Sequence, residues 1–305
     1  MRVLVTGANG FVGSYVMNEL VRLGHAVKGV AGPENSGSDM TSINLCDAPL
    51  VGDVVRSFRP HTILHLAAQS SVRRSWDAPE ETFQVNVVGT LNLWQAARQH
   101  GTEHFIYVST AEVYRQAVGE SNLREESALG PTNPYGLSKY TSEKILDQLS
   151  VASAGFLRLT ILRPFNHTGP WQGANFVVPA VARQVGAIKG GAKPIIQAGN
   201  LEAVRDFLDV RDVAKAYGTV VASDSISGIY NICSGIPRSI KSIVEDLCKV
   251  ADVGPVTIEV DPGRMRPSDK EWLVGDPNHF HSATNWSPEI SWEATLADIW
   301  QDSSN

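Results

Sequence analysis

The 305-residue sequence has few cysteines, no long apolar run and no excess of positive charge. Its three cysteines, Cys46, Cys233 and Cys248, are widely spaced and odd in number, which argues against a disulfide framework and a zinc site. We expect free, buried thiols and no metal. No apolar run approaches the roughly 20 residues that span a bilayer, and a net charge of -6 gives no electrostatic reason to expect nucleic acid. The chain enters a strand pattern at once, without a signal-peptide pattern, so the expected location is the cytosol.

The chain begins with the pattern of a strand, a glycine-rich turn and a helix. Residues 2–5 are apolar and β-prone, and they run into Thr6-Gly7-Ala8-Asn9-Gly10-Phe11-Val12-Gly13. In such a turn Gly7 permits the tight bend, Gly10 lets backbone approach a pyrophosphate, and Gly13 lets the helix pack close to the strand. The helix N-terminus then offers N–H groups and a positive dipole end to an anion. A chance glycine-rich turn is the alternative, but the flanking strand and helix favour a dinucleotide site.

Strand and helix patterns alternate through the first half of the chain. Strands are predicted at His25–Val30, Thr62–Leu66 and His104–Val108, and a long helix is predicted from about Glu80 to Gln99. Repeated βα alternation is typical of α/β proteins with a doubly wound parallel (Rossmann) sheet. We predict this fold, together with a smaller mixed α/β substrate lobe. His65 lies within a strand and is expected to be packed and hydrogen-bonded rather than catalytic.

The predicted nucleotide-binding domain and substrate lobe interleave along the chain. The domain is predicted to comprise residues 1–165, with 205–235 returning to it, and the lobe to comprise 166–204 and 236–305. Trp286 and Trp292, near the end of the chain, are expected in the core of the smaller lobe.

The residues that follow the predicted strands are candidate cofactor contacts. The second strand ends in Ala31-Gly32-Pro33, with neither a carboxylate for the ribose hydroxyls nor a basic residue for a 2′-phosphate. NADH and NADPH are therefore both open, and the lack of a repelling carboxylate leans slightly to NADPH. Asn44-Leu45 follow the third strand, where a short polar side chain can meet the adenine edge. Ala67-Ala68 follow the next strand, and their small side chains allow close approach to a cofactor.

A tyrosine and a lysine lie four residues apart in Asn133-Pro134-Tyr135-Gly136-Leu137-Ser138-Lys139. On a helix this spacing places both side chains on one face, one turn apart. A free phenol titrates near pH ~10, and an adjacent ammonium lowers that pKa, so Tyr135 and Lys139 form a candidate proton-transfer pair. A surface helix with an unrelated tyrosine and lysine is the alternative, and the dinucleotide pattern upstream favours the functional interpretation. Thr110 follows another strand, at the edge of the sheet where ligands bind in such folds.

Four motifs together resemble the extended short-chain dehydrogenases/reductases: Thr6-Gly7-x-x-Gly10-x-x-Gly13, Ala67-Ala68, Ser109-Thr110 and Tyr135-x-x-x-Lys139. The resemblance implies that Tyr135 is the acid/base, that Lys139 lowers its pKa and holds the nicotinamide ribose, and that Thr110 hydrogen-bonds the substrate oxygen. It also implies a homodimer through the helices at about 80–99 and 135–149. The candidate cofactor-binding residues are then Gly7, Gly10, Phe11, Val12, Gly13, Asn44, Leu45, Ala67, Ala68, Tyr135, Lys139 and Pro164.

Motifs in the second half resemble the GDP-sugar branch of that family. They are Arg163-Pro164-Phe165-Asn166-His167-Thr168-Gly169-Pro170, Asn175-Phe176-Val177, the stretch Gly199–Phe207, and Arg266-Pro267-Ser268-Asp269. The branch includes GDP-mannose 4,6-dehydratases and reductases that convert GDP-4-keto-6-deoxy-D-mannose into GDP-D-rhamnose. The similarity to the reductases is closer, because the chain is short for a dehydratase and Phe207 stands where dehydratases usually carry Trp. The implied substrate-binding residues are Ser71, Asn166, Asn175, Val177, Arg205 and Arg266.

Glu112 leaves the reaction open at this point. By the resemblance, the 4,6-dehydratases use a glutamate here to eliminate water, but the reductases share that pattern, and Ala111 replaces the Ser or Asp usual in dehydratases. A catalytic Glu112 and a Glu112 that only orients a substrate hydroxyl are equally open. The implied activity is NAD(P)H-dependent reduction of the C4 ketone, with a 4,6-dehydratase and a non-catalytic cofactor-sensing protein as alternatives.

Two arginines are candidates for binding the substrate diphosphate. Arg205 and Arg266 lie in separate segments flanked by turn residues, so both guanidinium groups could bind one pyrophosphate. Taken without the resemblance, Arg205 would be a surface ion-pair residue, because acidic residues surround it. Two of these, Asp206 and Asp209, are expected to be structural and to cap the following helix.

Overall fold

The structure is a computed structural model that describes residues 1–33, 40–115, 117, 119, 121–152, 156–264 and 270–304. Its strands, in chain order, are β1 (Arg2–Thr6), β2 (Ala26–Ala31), β3 (Thr41–Ser42), β4 (Thr62–His65), β5 (His104–Val108), β6 (Arg158–Pro164), β7 (Asn166–Thr168), β8 (Ile195–Ala198), β9 (Val204–Asp209), β10 (Gly228–Ile232), β11 (Pro237–Ser239), β12 (Thr257–Val260) and β13 (Trp272–Leu273).

The α-helices are α1 (Phe11–Arg22), α2 (Ala48–Phe58), α3 (Val72–Asp77), α4 (Pro79–Phe83), α5 (Gly89–Gln99), α6 (Pro134–Ala152), α7 (Val177–Lys189), α8 (Val210–Ala222), α9 (Ile240–Val250), α10 (Asn278–Thr284) and α11 (Trp292–Ser304). A π-helical turn (Gln84–Val88) and two 3-10 turns (Ala111–Val113 and Pro262–Arg264) complete the regular structure of the described residues.

Seven parallel strands form the larger sheet, in the order β3-β2-β1-β4-β5-β6-β10. Successive side chains of a strand point to opposite faces. Accordingly Val3 and Val5 pack in one core with Leu20 of α1 and Val213 of α8, while Leu4 packs in the core beneath α2 and α5. Both faces of the sheet are therefore buried, which explains the continuous apolar pattern of β1. The predicted doubly wound α/β fold is confirmed.

The strand order of the larger sheet reverses beside β1. The chain moves outward from β1 to β2 and β3, and then returns to place β4 on the other side of β1. At such a switch point the connections leave in opposite directions, so the carboxyl ends of the two strands border an open crevice.

The smaller lobe is built around β9. Strand β11 pairs with β9 in antiparallel orientation, while β7 and β13 pair with it in parallel, and β8 and β12 form a separate parallel pair. Helices α7, α9 and α11 enclose a core that includes Val181, Ile243, Leu247, Trp292 and Leu296. The smaller mixed lobe is as predicted. The chain rejoins the larger sheet at β10, after α8, and the residue boundaries of the two parts stay a prediction.

Trp286 does not lie where the sequence analysis placed it. Its ring packs on Phe280 at 5.4 Å between ring centroids, against the core on the α1 and α8 face of the larger sheet. Trp292 lies in the core of the smaller lobe, as expected. The two tryptophans separate because α10 packs beside β10, so the chain crosses between the lobes in the short segment that joins them.

The two aspartates after Arg205 are structural, but only one caps a helix. Asp209 is the N-cap of α8 and accepts a hydrogen bond from Arg211 N at 2.8 Å. Asp206 is buried and instead accepts bonds from the backbone N–H groups of Ser234, Gly235 and Gly275 at 2.8–3.2 Å. Asp206 therefore joins the loops that follow β10 and β13 to the central strand of the smaller sheet.

The described residues contain no group of three or more His, Cys, Asp or Glu side chains that could hold a metal ion. Within the same ranges, no helix is long and apolar enough to cross a membrane. The cysteines are free: Cys233 and Cys248 are buried as expected, and Cys46 is half-buried.

Candidate active site

The glycine turn between β1 and α1 leaves no room for a side chain at Gly7 or Gly13. Gly7 has a φ of +71°, and a Cβ there would lie 2.8 Å from Ala67 N, while a Cβ on Gly13 would lie 2.1 Å from Gly7 O. Gly10 is the N-cap of α1, which has no side-chain cap and no acidic residue in its first turn. The first N–H groups of α1 are therefore open to an anionic ligand at the crevice beside β1. This cradle fits the pyrophosphate of a dinucleotide.

His65 links the end of β4 to the neighbouring elements. Its Nδ1 lies 2.6 Å from Thr6 Oγ1, and its Nε2 lies 2.8 Å from Thr90 Oγ1. Thr90 donates its own proton to Asn86 O, so it accepts from Nε2–H, and Nδ1 accepts from Thr6. Burial lowers the pKa of His65 to about 3, and the nearby Lys139 adds to this. The ring is thus neutral, and the prediction of a packed, hydrogen-bonded His65 is confirmed.

A π-helical turn fixes the loop after β4 against α6. The predicted helix of residues 80–99 runs through α4, this turn and α5, and Asn86 lies in the turn. Asn86 pairs with both the N–H and C=O of Gln69, and its Nδ2 also lies 2.9 Å from Ser138 Oγ. Its carbonyl accepts from Ser142 of α6. These bonds set the position of α6 relative to Ala67 and Ala68.

Tyr135 and Thr110 meet at the carboxyl end of β5. Thr110 is the N-cap of the 3-10 turn that follows β5 and accepts from Glu112 N at 3.2 Å. Tyr135 lies in the first turn of α6, and the Thr110 side chain is near enough to its phenol to act on the pKa of that group. Gly136 lets α6 begin this close to the 3-10 turn, because a Cβ there would lie 2.9 Å from Glu112 O.

The pKa of Tyr135 is shifted in the direction opposite to expectation. Burial raises it to about 12, the Glu112 carboxylate adds to the rise, and the hydrogen bond from Thr110 opposes it. The groups that shift this pKa do not include Lys139, so a lowering by Lys139 stays a prediction. The physical reason for the rise is desolvation of the phenolate, which is the largest of the named effects.

Lys139 is itself a buried group with a shifted pKa. Its side chain lies over the Tyr107 ring, with Nζ 4.4 Å from the ring centroid, and only 2% of the residue is exposed. Burial lowers its pKa to about 7, and the carboxylate of Glu143, one turn further along α6, opposes this. Glu143 is held by a buried bidentate pair with Arg163, at 2.7 and 3.0 Å. Lys139 forms no salt bridge within the part of the chain that the structure describes, which leaves its donors for a ligand.

Glu112 is held by two donors that converge on one of its oxygens. Asn133 Nδ2 lies 3.1 Å from Oε2, and Lys270 Nζ lies 3.3 Å from the same atom. Lys270 Nζ also donates to Glu112 O at 3.0 Å. Burial lowers the pKa of Lys270, and the Glu112 carboxylate opposes this. The sequence analysis missed Lys270, although it directly follows the quoted stretch of residues 266–269.

Arg205 is buried and joined to this cluster, so it is not a surface ion-pair residue. It is 8% exposed, and its Nη1 donates to Val204 O at 2.8 Å and to Lys270 O at 2.7 Å. Arg205 is thus hydrogen-bonded to the backbone of Lys270, whose ammonium contacts Glu112. Arg266, the other predicted phosphate ligand, lies outside the described residues.

The remaining predicted contacts lie at the ends of several other elements. Ser71 is the N-cap of α3, Asn166 starts β7, and Asn175 and Val177 flank the start of α7. Pro164 is buried at the end of β6. These placements leave the role of each residue a prediction.

The two residues predicted to lie near the adenine, Asn44 and Leu45, already have contacts within the protein. Asn44 is exposed but accepts from Cys46 N at 2.9 Å, and the side chain of Leu45 belongs to the core beneath α2. Phe11 stacks on His167, with ring centroids 6.3 Å apart, while Val12 is half-buried in the first turn of α1.

A family profile described as GDP-mannose 4,6 dehydratase matches residues 4–299. The chain belongs to this family of extended short-chain dehydrogenases/reductases. The GDP-6-deoxy-D-mannose reductase of Pseudomonas aeruginosa is 34% identical to it over 307 residues, covering 99% of this chain and 96% of the relative.

Two solved structures share the whole fold of this chain. The structure of RMD from Pseudomonas aeruginosa complexed with NADPH has a TM-score of 0.84 at 33% identity and covers 99% of this chain and 98% of its own. The UDP-glucose 4-epimerase of Thermus thermophilus, in complex with NAD, has a TM-score of 0.87 at 30% identity and covers 99% of both chains. Reductase, dehydratase and epimerase names thus occur among its relatives, so the specific reaction must be argued from the site.

Proposed function

We propose that this protein reduces the C4 ketone of GDP-4-keto-6-deoxy-D-mannose to GDP-D-rhamnose, using NADPH or NADH. The observation that carries the proposal is the placement of Tyr135, in the first turn of α6, beside Thr110 at the carboxyl end of β5, with buried Lys139 one turn along α6. The relative named as a GDP-6-deoxy-D-mannose reductase supports the choice of substrate.

Each group of the chain has a distinct task in this reaction. The backbone from Gly10 to Gly13 would hold the cofactor pyrophosphate, and Lys139 would hold the ribose next to the nicotinamide. When bound, the reduced cofactor supplies the hydride to C4. Tyr135 donates its proton to the oxygen on which charge develops, and Thr110 donates a hydrogen bond to the same oxygen.

The raised pKa of Tyr135 suits reduction. A pKa of about 12 keeps the phenol protonated at neutral pH, and a proton donor must hold its proton before the transfer. The ammonium of Lys139 then stabilises the phenolate that the transfer leaves. Arg205, with Arg266, is proposed to bind the substrate diphosphate, because guanidinium groups pair with phosphate oxygens through two parallel hydrogen bonds.

The proposal also covers the cofactor, the assembly and the location of the protein. NADPH is proposed as the preferred cofactor, because Ala31-Gly32-Pro33 after β2 offers no carboxylate and the Pseudomonas aeruginosa structure contains NADPH. A homodimer through the helices of residues 80–99 and 135–149 is proposed from the resemblance, and Val88 and Leu137 are exposed there. A cytosolic location is also proposed from the resemblance to that family.

The substitution Tyr135→Phe tests the proposed function. We expect it to keep cofactor affinity and to lower turnover by about 10²–10⁴-fold, the usual contribution of a proton-transfer group. NADPH oxidation after addition of GDP-4-keto-6-deoxy-D-mannose measures turnover, and quenching of cofactor fluorescence measures binding. Tyr140→Phe, on the same helix, is the matched control. Near-normal turnover of Tyr135→Phe would refute the assignment.

A GDP-mannose 4,6-dehydratase is the second candidate, because Glu112 lies beside Thr110 and the family profile carries that description. Incubation with GDP-mannose and oxidised cofactor separates the two. A dehydratase forms the 4-keto-6-deoxy sugar, whereas a reductase leaves GDP-mannose unchanged.

A further inference from the structure

Lys270 is a buried cation to which the proposed reaction assigns no step. Only 3% of its side chain is exposed, and its ammonium contacts both the carboxylate and the carbonyl of Glu112. Its own carbonyl accepts from Arg205, and β13, which starts two residues later, pairs with β9. Lys270 is therefore anchored in the smaller lobe and reaches across to the 3-10 turn of the nucleotide-binding half.

The carboxylate that Lys270 contacts lies beside the proton donor. Glu112 N donates to Thr110 Oγ1 at 3.2 Å, and the Glu112 charge is close enough to Tyr135 to raise its pKa. The Glu112 side chain remains 21% exposed while Lys270 and Asn133 hold Oε2. A ketone oxygen bound to Thr110 and Tyr135 would have this carboxylate as a neighbour.

A free carboxylate in that position threatens a keto sugar. The hydrogens on C3 and C5, next to a C4 ketone, are acidic. A carboxylate that takes one of them leaves an enolate, whose oxygen charge Thr110 and Tyr135 would stabilise as they stabilise the alkoxide of reduction. Return of a solvent proton to the same carbon completes an exchange without net reaction. Moving Glu112 toward the sugar requires breaking its charge-assisted bond with Lys270, which is strong in a buried setting.

We propose that Lys270 is a positioning residue that restrains Glu112 from removing the protons next to the C4 ketone, and so keeps the site specific for reduction. This inference rests on the proposed function, because it requires the ketone to bind at Thr110 and Tyr135. The inference gives the contact of Lys270 with Glu112, which joins the two lobes, a role in the specificity of the reaction.

Hydrogen exchange in D2O tests the inference apart from reduction. The probe is GDP-4-keto-6-deoxy-D-mannose with oxidised NADP, which cannot supply a hydride, and NMR follows deuterium entry at C3 and C5. We expect slow exchange with the unmodified protein and at least tenfold faster exchange with Lys270→Met. The double variant Lys270→Met/Glu112→Gln is expected to return to the slow rate, and Lys270→Arg, which keeps the charge, to stay slow.

Lys193→Met, which removes an exposed lysine of the same lobe, is the matched control and is expected to exchange like the unmodified protein. Equal exchange in Lys270→Met and the unmodified protein would overturn the inference, and so would slower exchange in Lys270→Met. Should Lys270→Met not fold, Lys270→Gln applies the same test with a side chain that keeps a polar donor. NADPH oxidation is measured in parallel: if the unmodified protein oxidises no NADPH with the ketone, the proposed function fails, whatever the exchange rates.

Discussion

The candidate site contains two buried lysines, and they differ in what their ammonium groups contact. Lys139, in the nucleotide-binding half, lies over the Tyr107 ring and has no salt bridge among the residues that the structure describes. Lys270, in the smaller lobe, lies 3.3 Å from the Glu112 carboxylate. Burial lowers the pKa of both side chains. Two similarly buried ammonium groups can thus differ in function. Lys270 is paired with a carboxylate of the protein, whereas Lys139 keeps its hydrogen-bond donors for a ligand.

The two surroundings also differ in how they offset desolvation. A buried ammonium is costly unless it is paired. An aromatic face offsets this by about 2 kcal/mol when water is excluded, which leaves Lys139 only partly compensated. A carboxylate compensates Lys270 more fully, but it also makes Lys270 and Glu112 depend on each other.

The largest expected effect separates the two lysines by activity. We expect Lys139→Met to lower kcat/KM for NADPH oxidation by about 10²–10⁴-fold, because it removes the charge that stabilises the Tyr135 phenolate. Lys270→Met is expected to lower the same quantity by less than about tenfold, because Lys270 acts through Glu112 and not on the transferred proton. Steady-state kinetics of both variants measure this. Equal losses would contradict the comparison.

The second-largest expected effect is on stability. It concerns the buried ion pair of Arg163 with Glu143, which is one turn along α6 from Lys139. Arg163→Met leaves the carboxylate of Glu143 buried without its partner, so we expect the free energy of unfolding to fall by about 3–5 kcal/mol. Urea unfolding measures this. The matched control is Arg56→Met, whose pair with Asp53 is exposed on α2 and is expected to matter by no more than about 1 kcal/mol. Similar losses in the two variants would refute the role given to burial.

The smallest effect is the dependence of stability on pH. The pKa of Lys139 is about 7 in the folded protein, against an ordinary 10.5. Between these values the unfolded chain binds more protons than the folded one, so the cost of burying Lys139 is greatest below pH 7 and is relieved as the pH rises. The difference in unfolding free energy between Lys139→Met and the unmodified protein should therefore shrink by up to about 1.4 kcal/mol per pH unit above pH 7.

Urea unfolding from pH 7 to pH 10 measures that slope, and other titrating groups cancel in the difference between the two proteins. Lys270→Met should give a smaller total change over this range, because Glu112 opposes the pKa shift of Lys270 by a hydrogen bond as well as by its charge. Parallel curves for Lys139→Met and the unmodified protein would show that the pKa of Lys139 is not lowered.

Local patterns in the sequence were sufficient for much of the fold and for one part of the candidate site. The glycine turn and the Tyr135–Lys139 spacing were readable because neighbours on one turn or one helix face are close in sequence. The contact of Lys270 with Glu112 joins residues 158 positions apart, and no periodicity marks it. Arg205 was misjudged without the resemblance for a related reason, since its burial depends on a strand that follows much later in the chain.

The direction of the Tyr135 pKa shift was beyond the sequence for a physical reason. Spacing shows that an ammonium lies near a phenol, but it does not show how much water surrounds them, and desolvation is the largest effect here. Trp286 and Trp292 illustrate the same limit in packing. Both are large apolar side chains near the end of the chain, yet they lie in different cores.

The π-helical turn between α4 and α5 inserts one extra residue into the continuous helix that these elements form. Each residue of an α-helix advances the facing direction by about 100°. Deleting one residue from Gln84–Val88 would therefore rotate one side of the helix against the other and move Asn86 off its partners Gln69 and Ser138. A change of a single residue in length, with no change in chemistry, would thus disconnect the loop at one wall of the crevice from the helix that carries Tyr135.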